Sequence, residues 1–178
     1  MERRIALLRA VNVGGRKMPM AELRGLCGEL GWRNVQTYIQ SGNILFSAEG
    51  TAAELESALE QAIDRRFGYW SDAMVRSGDE WRGLLQHNPL PEESAREPNR
   101  VFAGIAKSKI VAGAAAVIAA KAVAGERVEE ADGALWFHYP AGLGTSKITP
   151  KLIDRAAGSP VTARNWRTVV TLSELLGD

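Results

Sequence analysis

Within the first 76 residues, short apolar runs and helix-period stretches follow one another in the order β-α-β-β-α-β. Few chain paths bury such a set of elements on one sheet. Ile5 to Val11 is a compact apolar run that leads into Gly14-Gly15, the pattern of a buried strand entering a tight loop. Pro19 suits a first helical turn, and Met20, Leu23, Leu26, Cys27 and Leu30 then recur at helical spacing, with Gly31 as a left-handed stop. Val35 to Gln40 alternates at strand period, Ser41-Gly42 turns the chain, and Ile44-Leu45-Phe46 brings it back. Thr51 and Glu54 form a capping box ahead of a second helix whose inner face carries Leu55, Leu59, Ile63 and Phe67. Tyr69 to Arg76 supplies a fourth strand.

This order is the split βαβ pattern of a ferredoxin-like sheet. The usual antiparallel arrangement sets the first strand beside the third, running in opposite directions. The end of one and the start of the other then share an edge. Asn12, Gly14 and Gly15 are thereby expected close to Gln40, Ser41 and Asn43. Asparagine and glycine at such places serve turn geometry or contact a ligand, and the pattern alone admits both.

The second half is less regular. Ser77 and Glu80 form another capping box, opening a helix through Trp81, Leu84 and Leu85 that ends before Asn88-Pro89. Pro89 to Asn99 has the composition of a surface loop, and Val101 to Ala106 that of a strand. Lys109 to Val123 is Ala-rich and predicts a helix. Asp132-Gly133 joins a hairpin of 127–130 and 134–139. Short helices are expected from Thr149-Pro150 and around Trp166, Val169, Val170 and Leu172. No internal repeat stands out. The expected architecture is α+β: a ferredoxin-like βαββαβ half over residues 1–76, packed against a smaller mixed α/β half over 77–178.

A formal charge of +1 excludes a field strong enough to imply nucleic acid by itself. Basic residues are nevertheless concentrated in the first 25 positions (Arg3, Arg4, Arg9, Arg16, Lys17 and Arg24) and again after Gly142. Cys27 is alone, so no intrachain disulfide forms. With Arg9 interrupting the first apolar run and no long apolar span, the chain is expected to be cytoplasmic, without a membrane partner.

Two stretches of the second half could carry chemistry. Gly142-Leu143-Gly144-Thr145-Ser146-Lys147 precedes a helix start, where freed backbone N–H groups could meet an anion, but it lacks the Walker order and also suits a flexible connector. In Thr162–Thr168, Arg164 and Arg167 are spaced to share one face of a helix and clamp a carboxylate or phosphate, with Asn165 as a reader or an N-cap and Trp166 as a core anchor. His87 and His138 have no metal-ligand spacing, and no cofactor motif is present.

Leu7-Leu8-Arg9-Ala10-Val11-Asn12-Val13-Gly14-Gly15, Pro19-Met20-Ala21-Glu22-Leu23, Tyr38-Ile39-Gln40-Ser41-Gly42-Asn43 and Thr162–Thr168 together resemble a bacterial family, number 1697 among the domains of unknown function. Asn88-Pro89, His138-Tyr139-Pro140 and Ser146-Lys147 extend the likeness. The resemblance implies an α+β fold with a ferredoxin-like part and supplies no activity or catalytic residue.

The leading functional expectation is a binding protein for a small phosphorylated or anionic ligand, or for single-stranded nucleic acid. Its polar site would draw on Arg9, Asn12, Gly14, Gly15, Lys17, Gln40, Ser41, Asn43, Ser146, Lys147, Arg164, Asn165 and Arg167. One alternative is a hydrolase or transferase on an anionic substrate, using Tyr38, Ser41 or Ser146 beside Lys147 or an arginine. Another is a protein-interaction module, with one of Trp32, Trp70, Trp81 and Trp136 on an exposed patch.

Overall fold

The computed structural model describes residues 1–177. The chain forms two compact units: Met1–Trp81 with the C-terminal stretch from Leu172, and Arg82–Thr171.

In the first unit, β1 (Glu2–Leu8), α1 (Met20–Glu29), β2 (Arg33–Tyr38), β3 (Asn43–Ala48), α2 (Ala52–Phe67) and β4 (Ala73–Ser77) follow the order expected from periodicity. The sheet runs β2-β3-β1-β4 with each neighbouring pair antiparallel, which is the ferredoxin-like arrangement. Its core joins Ala6, Leu8, Ile44, Phe46 and Val75 to Leu23, Leu26, Cys27, Leu55, Leu59 and Ile63 of the two helices. Trp32 stacks on Phe46 with ring centroids 3.9 Å apart. Cys27 lies in this core, and burial pushes its thiol up to about 12, so it is a packing residue rather than a nucleophile. Ile5, Leu7, Leu45 and Met74 alternate with these residues and are fully buried too. Both faces of β3 and of the inner half of β1 therefore exclude water, while β2 stays exposed or half-exposed.

Local chemistry sets the element ends. The Thr51 N–H donates to Glu54 Oε2 (2.8 Å) and the Glu54 N–H to Thr51 Oγ1 (3.3 Å), so the capping box forms as expected. Gly68 then ends α2 in a left-handed conformation. Strand β4 begins at Ala73 rather than Tyr69, because Tyr69–Asp72 runs as a loop beyond the register with β1.

As an edge strand, β4 has backbone N–H groups with no neighbouring strand to receive them. Helix α2 covers them. Glu60 Oε1 accepts from the Ala73 N–H and Glu56 Oε1 from the Val75 N–H, both at 2.8 Å. Four residues of helix rise about 6 Å and two residues of strand about 6.7 Å, so a Glu pair one turn apart matches alternate strand amides. Both carboxylates are buried.

The second unit contains β5 (Val101–Ala106), α5 (Ala114–Ala119), β6 (Arg127–Ala131), β7 (Ala134–His138), α6 (Pro150–Ala157) and β8 (Val161–Asn165). Its sheet runs β6-β7-β5-β8, again antiparallel throughout. This is the topology of the first unit a second time. Its core gathers Ala106, Ile110, Ala114, Ile118, Leu135, Phe137, Ile148, Ala157 and Val161. The repeat was hidden for two reasons. The Ala-rich segment gives only six helical residues, because Gly113 stands in a left-handed conformation at its start and only Ala114 and Ile118 are buried anchors. Strand β8 occupies a stretch in which the three-residue spacing of Arg164 and Arg167 fits one face of a helix.

Helix α3 (Gly78–Gln86) follows β4, and Ser77 and Glu80 exchange the expected capping bonds at 2.7 and 3.1 Å. Residues 91–96, expected as loop, form a short helix, α4 (Pro91–Arg96), with Pro91 in its first turn. Asn88 sets its entry by accepting from the Leu90 N–H and donating to Ser94 Oγ, both at 2.8 Å. Helix α7 (Trp166–Leu176) closes the chain.

Removing the Glu60 carboxylate leaves the Ala73 amide buried without its acceptor. Glu60→Ala should cost about 1–3 kcal/mol in urea unfolding, with Glu60→Gln less damaging because it keeps an acceptor oxygen. Equal losses in the two variants would show that the edge bond is not what Glu60 contributes.

Candidate functional site

Three loops leave the same end of the first sheet. Residues 9–19 follow β1, 39–42 join β2 to β3, and 68–72 lead into β4. The register aligns them: Leu7 lies opposite Asn43, Leu8 opposite Ala73, and Tyr38 opposite Asn43.

Asn12 ties the first two loops together. Its Nδ2 donates to the Gln40 carbonyl (2.8 Å) and the Met18 carbonyl (3.2 Å), while its Oδ1 accepts from the Met18 N–H (2.8 Å). Both amide hydrogens and the carbonyl oxygen are thus engaged in holding the fold. Its φ of 53° is a left-handed value that asparagine tolerates better than most residues. Asn43 performs the matching task from β3. Fully buried, it donates to the Tyr38 carbonyl at 3.0 Å and to Ser41 Oγ at 2.9 Å. Gly42 sits between them at φ 75°, where a Cβ would come within 2.7 Å of Leu8 Cβ and 2.9 Å of Val11 Cγ2. The third loop joins through the backbone of Arg9, whose N–H donates to the Asp72 carbonyl (3.0 Å) and whose carbonyl accepts from Ser71 Oγ (2.7 Å).

What these ties present outward is the segment Val13–Lys17. The Arg16 N–H donates to the Val13 carbonyl at 3.1 Å, closing a turn whose two central glycines have φ of 59° and 82°. Apart from their chain neighbours, no described heavy atom lies within 4 Å of where a Cβ would stand on Gly14 or Gly15, so that side of the backbone is open to approach. Lys17 and Gln40 are exposed, and Arg9 and Ser41 half-buried. The structure therefore brings together the Asn12, Gly14 and Gly15 loop and the Gln40, Ser41 and Asn43 turn, joined by the Asn12–Gln40 bond.

Sequence reasoning left Arg16, Tyr69 and Trp70 out of the site. The Arg16 guanidinium lies over the Tyr69 ring, 5.1 Å from its centroid. Trp70 is 49% exposed, and its Nε1–H donates to Asp72 Oδ1 at 3.1 Å. Val13 and Ile39 are 55% and 51% exposed on the other two loops. The available signal was Tyr69-Trp70 directly after Gly68: two large aromatics at a helix end, before the next apolar run, mark a place where an aromatic can face solvent.

In the second unit Ser146, Arg164 and Asn165 hold the local structure, whereas Lys147 and Arg167 are exposed. Arg164 does not share a helix with Arg167: it lies in β8 opposite Ala103, whereas Arg167 is on α7. The β-branched Val161 and Thr162 and the pairing with β5 keep this stretch extended until Asn165. Asn165 Oδ1 accepts from the Thr168 N–H at 2.9 Å and so caps α7. Arg164 is buried, donates to Thr162 Oγ1 (2.8 Å) and the Ala163 carbonyl (2.9 Å), and burial lowers its pKa to about 10. Trp166 is half-buried, 5.9 Å from Trp136 between ring centroids.

Ser146 and Lys147 follow a single 3-10 turn at Leu143–Thr145. The Ser146 hydroxyl accepts from the Ile148 N–H at 3.1 Å, and it also holds the Glu126 carboxyl down at about 2, with help from the Ala124 and Val123 amides. Those amides lie 2.7 and 3.0 Å from Glu126 Oε2. His138 is buried and bonds Glu97 Oε2 through Nε2 at 2.9 Å. Through that bond it lowers the Glu97 pKa. Among the described residues no group of three or more His, Cys, Asp or Glu side chains is placed to hold a metal ion, and no helix is long and apolar enough to cross a membrane.

A family model described as a protein of unknown function, DUF1697, matches residues 1–136. The chain belongs to the DUF1697 family. The match covers the loop end of the first unit and ends within β7, ahead of Ser146, Lys147 and the Thr162–Thr168 stretch. Among curated proteins none matches this DUF1697 chain. A solved structure, that of the conserved bacterial protein SP0830 from Streptococcus pneumoniae, is similar with a TM-score of 0.74 at 21% identity, covering 100% of this chain and 99% of that one. At that identity the likeness establishes the fold.

Two outcomes follow for this DUF1697 protein. Asn12→Ala removes three hydrogen bonds from an exposed loop and should destabilise the chain by about 1–2 kcal/mol in chemical denaturation. An unchanged midpoint would mean that water replaces the tie at no cost. Glu126 has a folded pKa of about 2 against an ordinary 4.5, so its stabilising contribution is present above pH 4.5 and is lost as pH falls toward 2. Glu126→Gln should flatten that part of the stability–pH profile relative to the unsubstituted chain. Parallel profiles between pH 4.5 and 2 would remove Glu126 as its source.

Proposed function

We propose that this protein binds a small phosphorylated or otherwise anionic ligand at the loop end of its first unit. The observation that carries the reading is the Asn12 tie, which fixes the Val13–Lys17 segment against the β2–β3 turn before any ligand arrives. Preorganisation matters because ordering a glycine loop upon binding would cost conformational entropy. The cations are Arg9, Arg16 and Lys17, and the open backbone at Gly14 and Gly15 offers N–H dipoles at close range. Gln40 and Ser41 lie at the rim and can bond a ligand's hydroxyl or phosphoryl oxygens. The reading rests on the first unit alone and on binding rather than turnover.

A thermal-shift series with inorganic pyrophosphate, tripolyphosphate and citrate tests it. A ligand held by the folded state at a hundredfold excess over its dissociation constant stabilises by about 2.7 kcal/mol, a rise in Tm of several degrees. Arg16→Gln with Lys17→Gln should abolish the rise while leaving the unliganded melting temperature in place, because Lys17 is exposed and Arg16 touches only the Tyr69 face in the described contacts. An identical rise in that double variant, or no rise with any polyanion, would overturn the proposal.

A further inference from the structure

We infer that the anion this end takes is single-stranded nucleic acid, with a base stacked on Trp70 and the adjoining phosphates on the Arg16–Lys17 loop. The inference rests on the proposed anion site and names its occupant. Trp32, Trp81 and Trp136 are buried and Trp166 is half-buried, whereas Trp70 leaves about half of its surface to solvent. Trp70 is not among the described residues that make the core of the first unit. The Asp72 carboxylate nevertheless fixes its ring by the 3.1 Å bond to Nε1. An exposed aromatic held in one orientation loses little entropy when something stacks on it, and a base presents a flat π-face to do so.

The cations adjoin it through covalent and packing neighbours. Tyr69, next in the chain to Trp70, carries the Arg16 guanidinium on its face at 5.1 Å, and Lys17 follows Arg16. Arg9 is hydrogen-bonded through its backbone to Ser71 and Asp72, the two residues after Trp70. Exposed Val13 and Ile39 stand on the two neighbouring loops and offer apolar contact to a second base. Open loop tips with an aromatic and flanking cations suit a strand laid across them, where base stacking and phosphate neutralisation act together. The small net charge of the whole chain, +1, is compatible with this because the relevant field is local and phosphate contacts act within about 10 Å at ordinary salt.

The experiment uses the full chain and intrinsic tryptophan fluorescence, in which Trp70 is the tryptophan most open to quenching. The probes are a thymidine oligonucleotide of about eight residues, within the usual span of single-stranded sites, its abasic counterpart, and a polyphosphate of similar length. The oligonucleotide should quench the emission and bind about tenfold or more tightly than the abasic strand. Trp70→Ala should remove that advantage and leave polyphosphate binding unchanged, whereas Trp70→Phe should retain most of it. Affinity should fall with salt more gently than for a dedicated nucleic-acid binder, since only two or so phosphates are neutralised. Equal binding of the oligonucleotide and the abasic strand, or no effect of Trp70→Ala, overturns the inference while leaving the anion site standing. Failure of all three probes overturns both. Binding to vesicles of phosphatidylserine in phosphatidylcholine, with none to the oligonucleotide, overturns it in favour of a lipid surface.

Discussion

Strand β1 lies between β3 and β4, and that central position decides what its exit loop can touch. A loop leaving an edge strand has one neighbour and considerable freedom. The loop after Leu8 has a turn on one side and an incoming strand on the other, and it is bonded to both. The Leu8 N–H meets the Gly42 carbonyl at 2.9 Å, Asn12 reaches the Gln40 carbonyl, and Arg9 is held at both backbone groups by Ser71 and Asp72. The close seat of Gly42 on Leu8 and Val11 makes room for this arrangement, since any side chain there would separate the two loops. The polar groups of Asn12 and Asn43 are consumed in this scaffold. The loop's surface is left to glycines, cations and apolar tips, and these give the end its capacity to bind.

The two units solve the same topological problem with different chemistry. In the first, helix α2 is sixteen residues long, caps itself at both ends, and lends two buried carboxylates to the edge strand β4. In the second, α5 has only six residues and contributes mostly alanine. Polar side-chain links brace the elements there. Glu97 meets buried His138, Arg127 pairs with Glu93 and Glu129, and Glu126 gathers the 123–126 turn beside Ser146. A carboxylate ionised down to about pH 2 next to Ser146 also colours the glycine-rich segment electrostatically, because a second anion approaching that hydroxyl meets a negative neighbour. The loop of Gly14 and Gly15 is held by the Asn12 amide instead, and its neighbouring cation Arg16 is stacked on Tyr69. Similar glycine content thus gives unlike surroundings.

Much of this was legible in the residues. Helical spacing in Leu23–Leu30 and Leu55–Phe67, the capping boxes at Thr51 and Ser77, and the Asp132-Gly133 hairpin are local signals, and the backbone obeys them because their determinants lie within a few residues. The convergence of Asn12 with Gln40 was also accessible, because β-α-β-β-α-β order permits few sheet arrangements. The segment Thr162–Arg164 was not. Its apolar and polar residues satisfy helical or extended spacing alike, and pairing with β5, some sixty residues away, decides between them.

The sequence by itself determined that the chain would form antiparallel α+β sheets, where the first unit's helices begin and end, and which loops carry glycine and positive charge. The tertiary structure alone decided that the fold repeats, that Arg164 is buried in a strand, that Glu56 and Glu60 close an edge, that Arg16 stands over Tyr69, and that Trp70 stays exposed. The division has one physical cause. Periodicity and capping are settled by neighbours along the chain, whereas burial of a charge, pairing of an edge amide and exposure of an aromatic depend on which distant element arrives to cover it.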